Sequence, residues 1–337
     1  MAGLPLPKTS PDLKLQPPFN FYLRSKGQCL KLISSALAKG HVTLGDKSIL
    51  IAVVLLIILD VFENGSGTWT LHLEGAKRLL DAGIMAGNSE WDNCARNLLQ
   101  EAAMFQTFGS SLGKPGALTS ASTLPASWAT GTSTITPVGC PVEILSSVEV
   151  FASQRRFESI FSTLTTNIKI LEDTLQLIRS YDTSAWAKRT EEMDRVLRYE
   201  DLLHLGNIWK LAADMYACSV ICSSIESATT DFHPPSVYTI REEYKFFERK
   251  GDGIMKCLIW PTFVVGAASV SHEDRAWAAR TLDRIWNLGH CANTTNATRI
   301  LEILWGKHDR AQAVSDDHAC WNWISELSQL QGSWLFV

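Results

Sequence analysis

Apolar residues recur along this chain every three to four positions, and strict alternation never lasts more than a few residues, so the pattern predicts helices rather than a sheet. The densest stretch, Ile49 to Leu59, is apolar at all eleven positions and ends at Asp60. Eleven residues fall well short of the ~20 that a bilayer crossing needs. The run therefore predicts a buried helix over 49–62, with an N-cap at Leu44-Gly45-Asp46 and a loop at 63–67. Before it, 28–37 has helical spacing. After it, Thr68 caps a helix with Trp69, Leu73, Ala76 and Leu80 on one stripe, stopped by Asp81-Ala82-Gly83. Trp91 to Phe108 predicts the next helix.

From 110 to 139 the pattern dissolves into small, hydroxylated, Pro- and Gly-rich residues that bury little, which predicts a long loop. Helices resume at Pro141 and run with interruptions to Ile178, followed by one over 190–228 and a break at Pro234-Pro235. Further helices are expected over 238–249, 254–270, 274–288 and 294–305, with a final segment after the cap-like Ser315-Asp316-Asp317. The pattern predicts an all-α protein: a single large bundle of about ten to twelve helices over 20–337, preceded by a flexible arm at 1–19.

Composition narrows the function. With 46% hydrophobic residues the chain has enough apolar material for a real core, which excludes disorder throughout. Thirty-one Lys and Arg against 35 Asp and Glu give a net charge of −4, without the basic footprint that gripping nucleic acid requires. The first twenty residues lack the apolar segment of a secretory signal, and the eight cysteines have no paired spacing. Reduced thiols, an intracellular location in cytoplasm or nucleus and no membrane association are expected, with the sequons at Asn64, Asn293 and Asn296 unused. No Walker loop, GxGxxG, GxSxG or HExxH occurs, and Asp316-Asp317 lacks the further aspartate of a metal-binding motif. The expectation is no metal and no cofactor.

The segment LIILDVFENGSGTWTLHLEGAKRLL, 56–80, resembles the fungal-specific transcription factor domain, the helical regulatory region that follows the zinc binuclear cluster in many fungal regulators. The resemblance rests on Trp69, His72-Leu73, Gly75-Ala76 and Leu79-Leu80. It continues in order through Gly139-Cys140-Pro141, Trp209-Lys210 to Tyr216, Trp260-Pro261 to Gly266, Arg275 with Trp277, and Trp305, covering about 20 to 310. It implies a helical regulatory fold. The family's DNA reader needs six convergent cysteines, whereas here the first is Cys29 and the closest pair, Cys218 and Cys222, lies one helical turn apart. No zinc cluster and no direct contact with nucleic acid are expected.

Several residues admit both a structural and a chemical reading. Trp69 and His72 are either packed residues or, for His72, a donor or general base facing a cavity. Asp60 stands at a helix end in water or pairs with Lys77 or Arg78. On the helix around Trp209, Trp209, Ala213, Tyr216 and Val220 share one stripe and Asn207, Lys210 and Asp214 another. Lys210 and Asp214, four apart, form a surface pair or supply charge to a site. Trp260-Pro261 is core or a cavity wall. The chain holds 12 tryptophans, several at inward positions that include 69, 209, 260, 277 and 305. Such a set either packs the core or lines a pocket for a sizeable apolar guest.

Two functions fit. The leading expectation is a cofactor-free catalyst of fungal secondary metabolism, repurposed from the regulatory fold. It would fold a terpenoid or polyketide substrate for cyclisation, cycloaddition or isomerisation. His72, Asp214 and Tyr216 would act in catalysis, and Trp69, Trp209, Lys210, Trp260, Trp277 and Trp305 would bind substrate. The alternative is a regulator or co-regulator of a biosynthetic gene cluster without a DNA-binding module of its own. In either case the partner is an apolar small molecule, with a homodimer or a helix-mediated protein contact also in view.

Overall fold

A computed structural model describes residues 17–38, 47–63, 67–85, 93–115, 118, 134–156, 164–194, 196–224, 232–250, 253–314, 321–330 and 332–337. Among them the chain forms thirteen α-helices and one 3₁₀ segment. In chain order these are α1 (Pro17–Ala38), α2 (Lys47–Glu63), α3 (Trp69–Met85), α4 (Asn93–Leu112), α5 (Val142–Arg156), α6 (Leu164–Ser180) and α7 (Thr183–Asp194). They continue with α8 (Tyr199–Ser224), α9 (Val237–Lys250), the 3₁₀ segment (Gly253–Leu258), α10 (Ile259–Ala268), α11 (His272–Gly289), α12 (Ala292–Val314) and α13 (Trp323–Gln329). The all-α expectation holds. The arm at 1–16, most of 116–133, the expected caps at 44–46 and 315–317, and the sequon at Asn64 lie outside the described residues.

Several boundaries differ from expectation. Helix α3 runs past Asp81-Ala82-Gly83 to Met85, and α4 runs past Phe108 into the first residues of the expected loop. Helix α4 is buried at every position from 102 to 112, so tertiary packing overrides the poor helix propensity of its Gly and Ser residues there. The single helix expected over 190–228 is two, α7 and α8. The Glu191 carboxylate accepts from the Tyr199 amide at 2.8 Å, and Glu200 and Asp201 occupy the first turn of α8, where the helix dipole favours acids. The helix expected over 254–270 is a 3₁₀ segment followed by α10, with Pro261 in the first turn of α10, where its missing N–H costs nothing. Ser271 caps α11, accepting from the Asp274 amide at 3.1 Å.

Helix α8 is the axis of the bundle, touching α5, α6, α7, α9, α10 and α13. Helix α10 lies beside it, with Ile259 to Ala267 all buried. Helix α2 buries Leu50, Val53, Val54, Leu56, Ile57 and Val61, as its apolar run predicts. No described helix is long and apolar enough to cross a membrane. One hydrophobic cluster reaches from α2 to Trp334, Leu335 and Phe336, and a smaller one joins Trp186 and Ala187 of α7 to Leu202 of α8.

Candidate functional site

The indoles singled out in the sequence fall into separate places. Trp69, the first residue of α3, has no exposed surface and donates from Nε1 to the Ser333 carbonyl at 2.9 Å. Its six-membered ring lies against α4 at Gly109, where a side-chain carbon would stand 2.8 Å from Cζ3 and closer still to Cη2. One turn on, His72 approaches Asp60 of α2, Nε2 to Oδ2 at 3.4 Å. Asp60 is buried, and its ion-pair partner is Lys26 of α1 at 2.8 Å. The expected pairing with Lys77 or Arg78 is corrected: Lys77 turns to Glu74 at 3.0 Å. Burial pushes the His72 imidazole below its usual range, the nearby Asp60 charge pulling the other way.

At the centre, Trp209 of α8 stacks on Trp260 of α10 with centroids 5.5 Å apart and planes 12° apart. Phe108 tilts against both, and Tyr216 meets Trp260 edge-on. Ser111, in the last turn of α4, ties the group together. Its hydroxyl accepts from Trp260 Nε1 at 2.9 Å, and its carbonyl accepts from the Tyr216 hydroxyl at 3.0 Å. The carbonyls of Ser110 and Ser111 also accept from Arg155, a guanidinium only 1% exposed that neutralises the C-terminus of α4. Sequence reasoning missed Arg155, whose polar neighbours in SQRR give no hint of burial. Trp209, Trp260 and Tyr216 are at most 1% exposed. Trp209 and Trp260, expected to bind substrate, here stack on each other, with Tyr216, expected to act in catalysis, edge-on to Trp260.

On the second α8 stripe, Lys210 and Asp214 bond residues outside α8 rather than each other. Asp214 receives a two-pronged bond from Arg179 of α6, Nε at 2.9 Å and Nη2 at 3.0 Å, while Lys210 donates to the Tyr181 carbonyl at 2.9 Å. Trp277 stands edge-on to Tyr244, 5.1 Å away, and the Tyr244 hydroxyl bonds Thr262. Trp305 donates to the Gly266 carbonyl at 2.8 Å. His72, Asp214 and Tyr216 thus engage three different partners, and the structure does not bring them together around one space.

Open space among the described residues includes two clefts with apolar walls, the first of them bordered by Trp305. The first, about 230 Å³, is bordered by Phe232, Trp305, His308, Trp321 and Trp323, with Arg275 in its wall. Arg275 is already committed to the Ser269 carbonyl, Asp309 and His308. The second, about 330 Å³, lies between α2, α4, the 3₁₀ segment, α11 and α12. Ile58, Phe62, Met104, Phe105 and Ile285 give it apolar walls, and Glu101 and Lys256 are its charged side chains. Burial alone pushes the Glu101 carboxyl above the usual carboxylate range. It also raises the thiols of Cys257 and Cys291 to about 11 and that of Cys218 to about 12, so none is a thiolate nucleophile at neutral pH. Among the described residues no three His, Cys, Asp or Glu side chains are grouped to hold a metal.

The model of the fungal specific transcription factor domain matches residues 20–336. The acriflavine sensitivity control protein acr-2 of Neurospora crassa is 24% identical over 352 aligned positions, covering 94% of this chain and 55% of the relative. The chain therefore spans about half the length of that curated relative. No solved structure matches the chain. These matches overturn the expectation of a cyclase or isomerase: they place the chain among transcription factor domains and beside a protein named for control of acriflavine sensitivity. From residue 20 almost to its end, this chain belongs to the fungal-specific transcription factor domain family.

Proposed function

We propose that the chain is the regulatory region of a fungal transcription regulator, a helical module that adjusts transcription without reading DNA itself. The family match over 20–336 carries this reading. The net charge of −4 supports the second half, because a surface without excess positive charge has little hold on the phosphate backbone. A place in the cytoplasm or nucleus goes with that role. The test joins residues 1–337 to an unrelated DNA-binding domain above a reporter gene in yeast. Reporter output should rise or fall several-fold relative to the DNA-binding domain alone. Unchanged output at equal protein level would overturn the reading.

Contact with a second copy of the chain through α1 is part of the proposal. Leu23, Leu30 and Leu37 recur every seventh residue and are 47%, 40% and 50% exposed. Helix α1 is tied to the body by ion pairs from Lys26 to Asp60 and Glu63. Leucines at heptad spacing suit the seam of a two-helix coil.

A further inference from the structure

The cleft between α2, α4 and α11 combines three features that together specify a ligand. Its volume of about 330 Å³ falls at the lower end of small-molecule sites, which run from roughly 300 to 1,000 Å³. Its walls are mainly aliphatic and aromatic, with Phe105 only 4% exposed at its inner side and Phe62 at its rim. Into this apolar surface α4 places one half-buried carboxyl, Glu101, which has no hydrogen-bond or ion-pair partner among the described residues. A carboxylate removed from water without a partner is costly, and the cost is relieved when a cation arrives.

The other groups around the cleft do not satisfy Glu101. Lys256 is an exposed residue whose methylenes run beside Gly289, within 4 Å of where a side-chain carbon there would stand, so its stem contributes wall. Cys257 and Cys291 hold neutral thiols, since burial raises both to about 11. Thr294 brings a hydroxyl and no charge. Phe62 and Phe105 bring aromatic rings to the lining, a type of group whose π face attracts a cation as well as hydrocarbon.

We propose that this cleft binds an apolar organic monocation, with Glu101 as its counter-ion and the side chains of α2, α4 and α11 around its hydrocarbon body. The site deepens the regulatory reading by naming the class of effector it would sense. Binding is measured on the purified chain and transcription in the reporter assay, so failure of one is distinguishable from failure of the other.

The test uses three probes with one apolar body: 4-phenylbutyltrimethylammonium, neutral 4-phenylbutanol and anionic 4-phenylbutyrate. Calorimetric titration of the full chain should show the cation binding at least about tenfold more tightly than the alcohol, a difference of ~1.4 kcal/mol, with the anion weakest. Glu101→Gln should remove the preference for the cation, and Glu101→Lys should transfer it to the anion. Thermal melting of both variants confirms that they fold, a half-buried position tolerating either side chain. Equal binding of cation and anion, a cation preference that survives Glu101→Gln, or no binding of any probe at about 10 mM would overturn the proposal.

Discussion

Gly109 offers the sharpest check on how the α3 and α4 helices meet. An alanine Cβ there would stand 2.8 Å from Cζ3 of Trp69, 3.1 Å from Cζ2 and nearer still to Cη2, inside the contact limit for carbon. The ring cannot swing away easily, because it is wholly buried and held through Nε1 by the Ser333 carbonyl. In an exposed helix interior, Gly→Ala would stabilise by ~0.5–1 kcal/mol through backbone entropy. Overpacking a filled core costs ~1–3 kcal/mol, so the clash wins and a net loss of about 1–2 kcal/mol is expected. Trp69→Phe removes the crowding atoms but also the indole hydrogen bond, leaving the Ser333 carbonyl to the longer bond from the Gly67 amide at 3.4 Å, a loss of ~0.5–1.5 kcal/mol. In the double variant the alanine enters vacated space, so the two losses should fall short of additivity by about 1–2 kcal/mol. Guanidinium denaturation of the four proteins reads this directly. If Gly109→Ala is neutral or stabilising and the cycle is additive, the indole is not seated against α4 and the packing described here is wrong.

Asp214→Ala should destabilise by about 1–2 kcal/mol, since the pair with Arg179 is partly solvated, and its effect should couple to Arg179→Met in a denaturation cycle. Lys210→Met should add independently to Asp214→Ala, because Lys210 bonds the Tyr181 carbonyl instead. Burial lowers the His72 imidazole, so the unfolded chain binds a proton more readily. Stability should therefore fall as pH drops below ~6.5, and His72→Asn should flatten thermal melts between pH 7.5 and 5.5, where a parallel slope would refute the assignment. Light scattering at tens of micromolar should find dimers that Leu23→Glu with Leu30→Glu converts to folded monomers; a monomeric parent chain would remove α1 as the contact.

The helices were legible because burial imposes a period, and α2 shows it plainly: an eleven-residue apolar run becomes a core helix. Partners were not legible, because spacing along the chain does not show which helices lie side by side. Asp60 finds Lys26, 34 positions earlier, and Asp214 finds Arg179, 35 positions earlier, rather than Lys210 four away. The same reason explains the indoles. A tryptophan count cannot distinguish rings that surround a space from rings that fill it, and the Trp209–Trp260 stack joins residues from two helices.

What the sequence did offer toward the cleft was an omission rather than a motif. From Leu98 to Leu112 the chain reads LLQEAAMFQTFGSSL, in which Glu101 is the one charged residue. A charge isolated in such a stretch either turns to solvent or requires a counter-charge from elsewhere. The fold resolves the choice by leaving Glu101 half-buried at the edge of an apolar cleft, while the catalytic candidates His72, Asp214 and Tyr216 each received a partner within the chain. Paired groups hold the bundle rigid, and a carboxylate left without a partner among the described residues, at the edge of an apolar cleft, marks where something external adds free energy to one state of it.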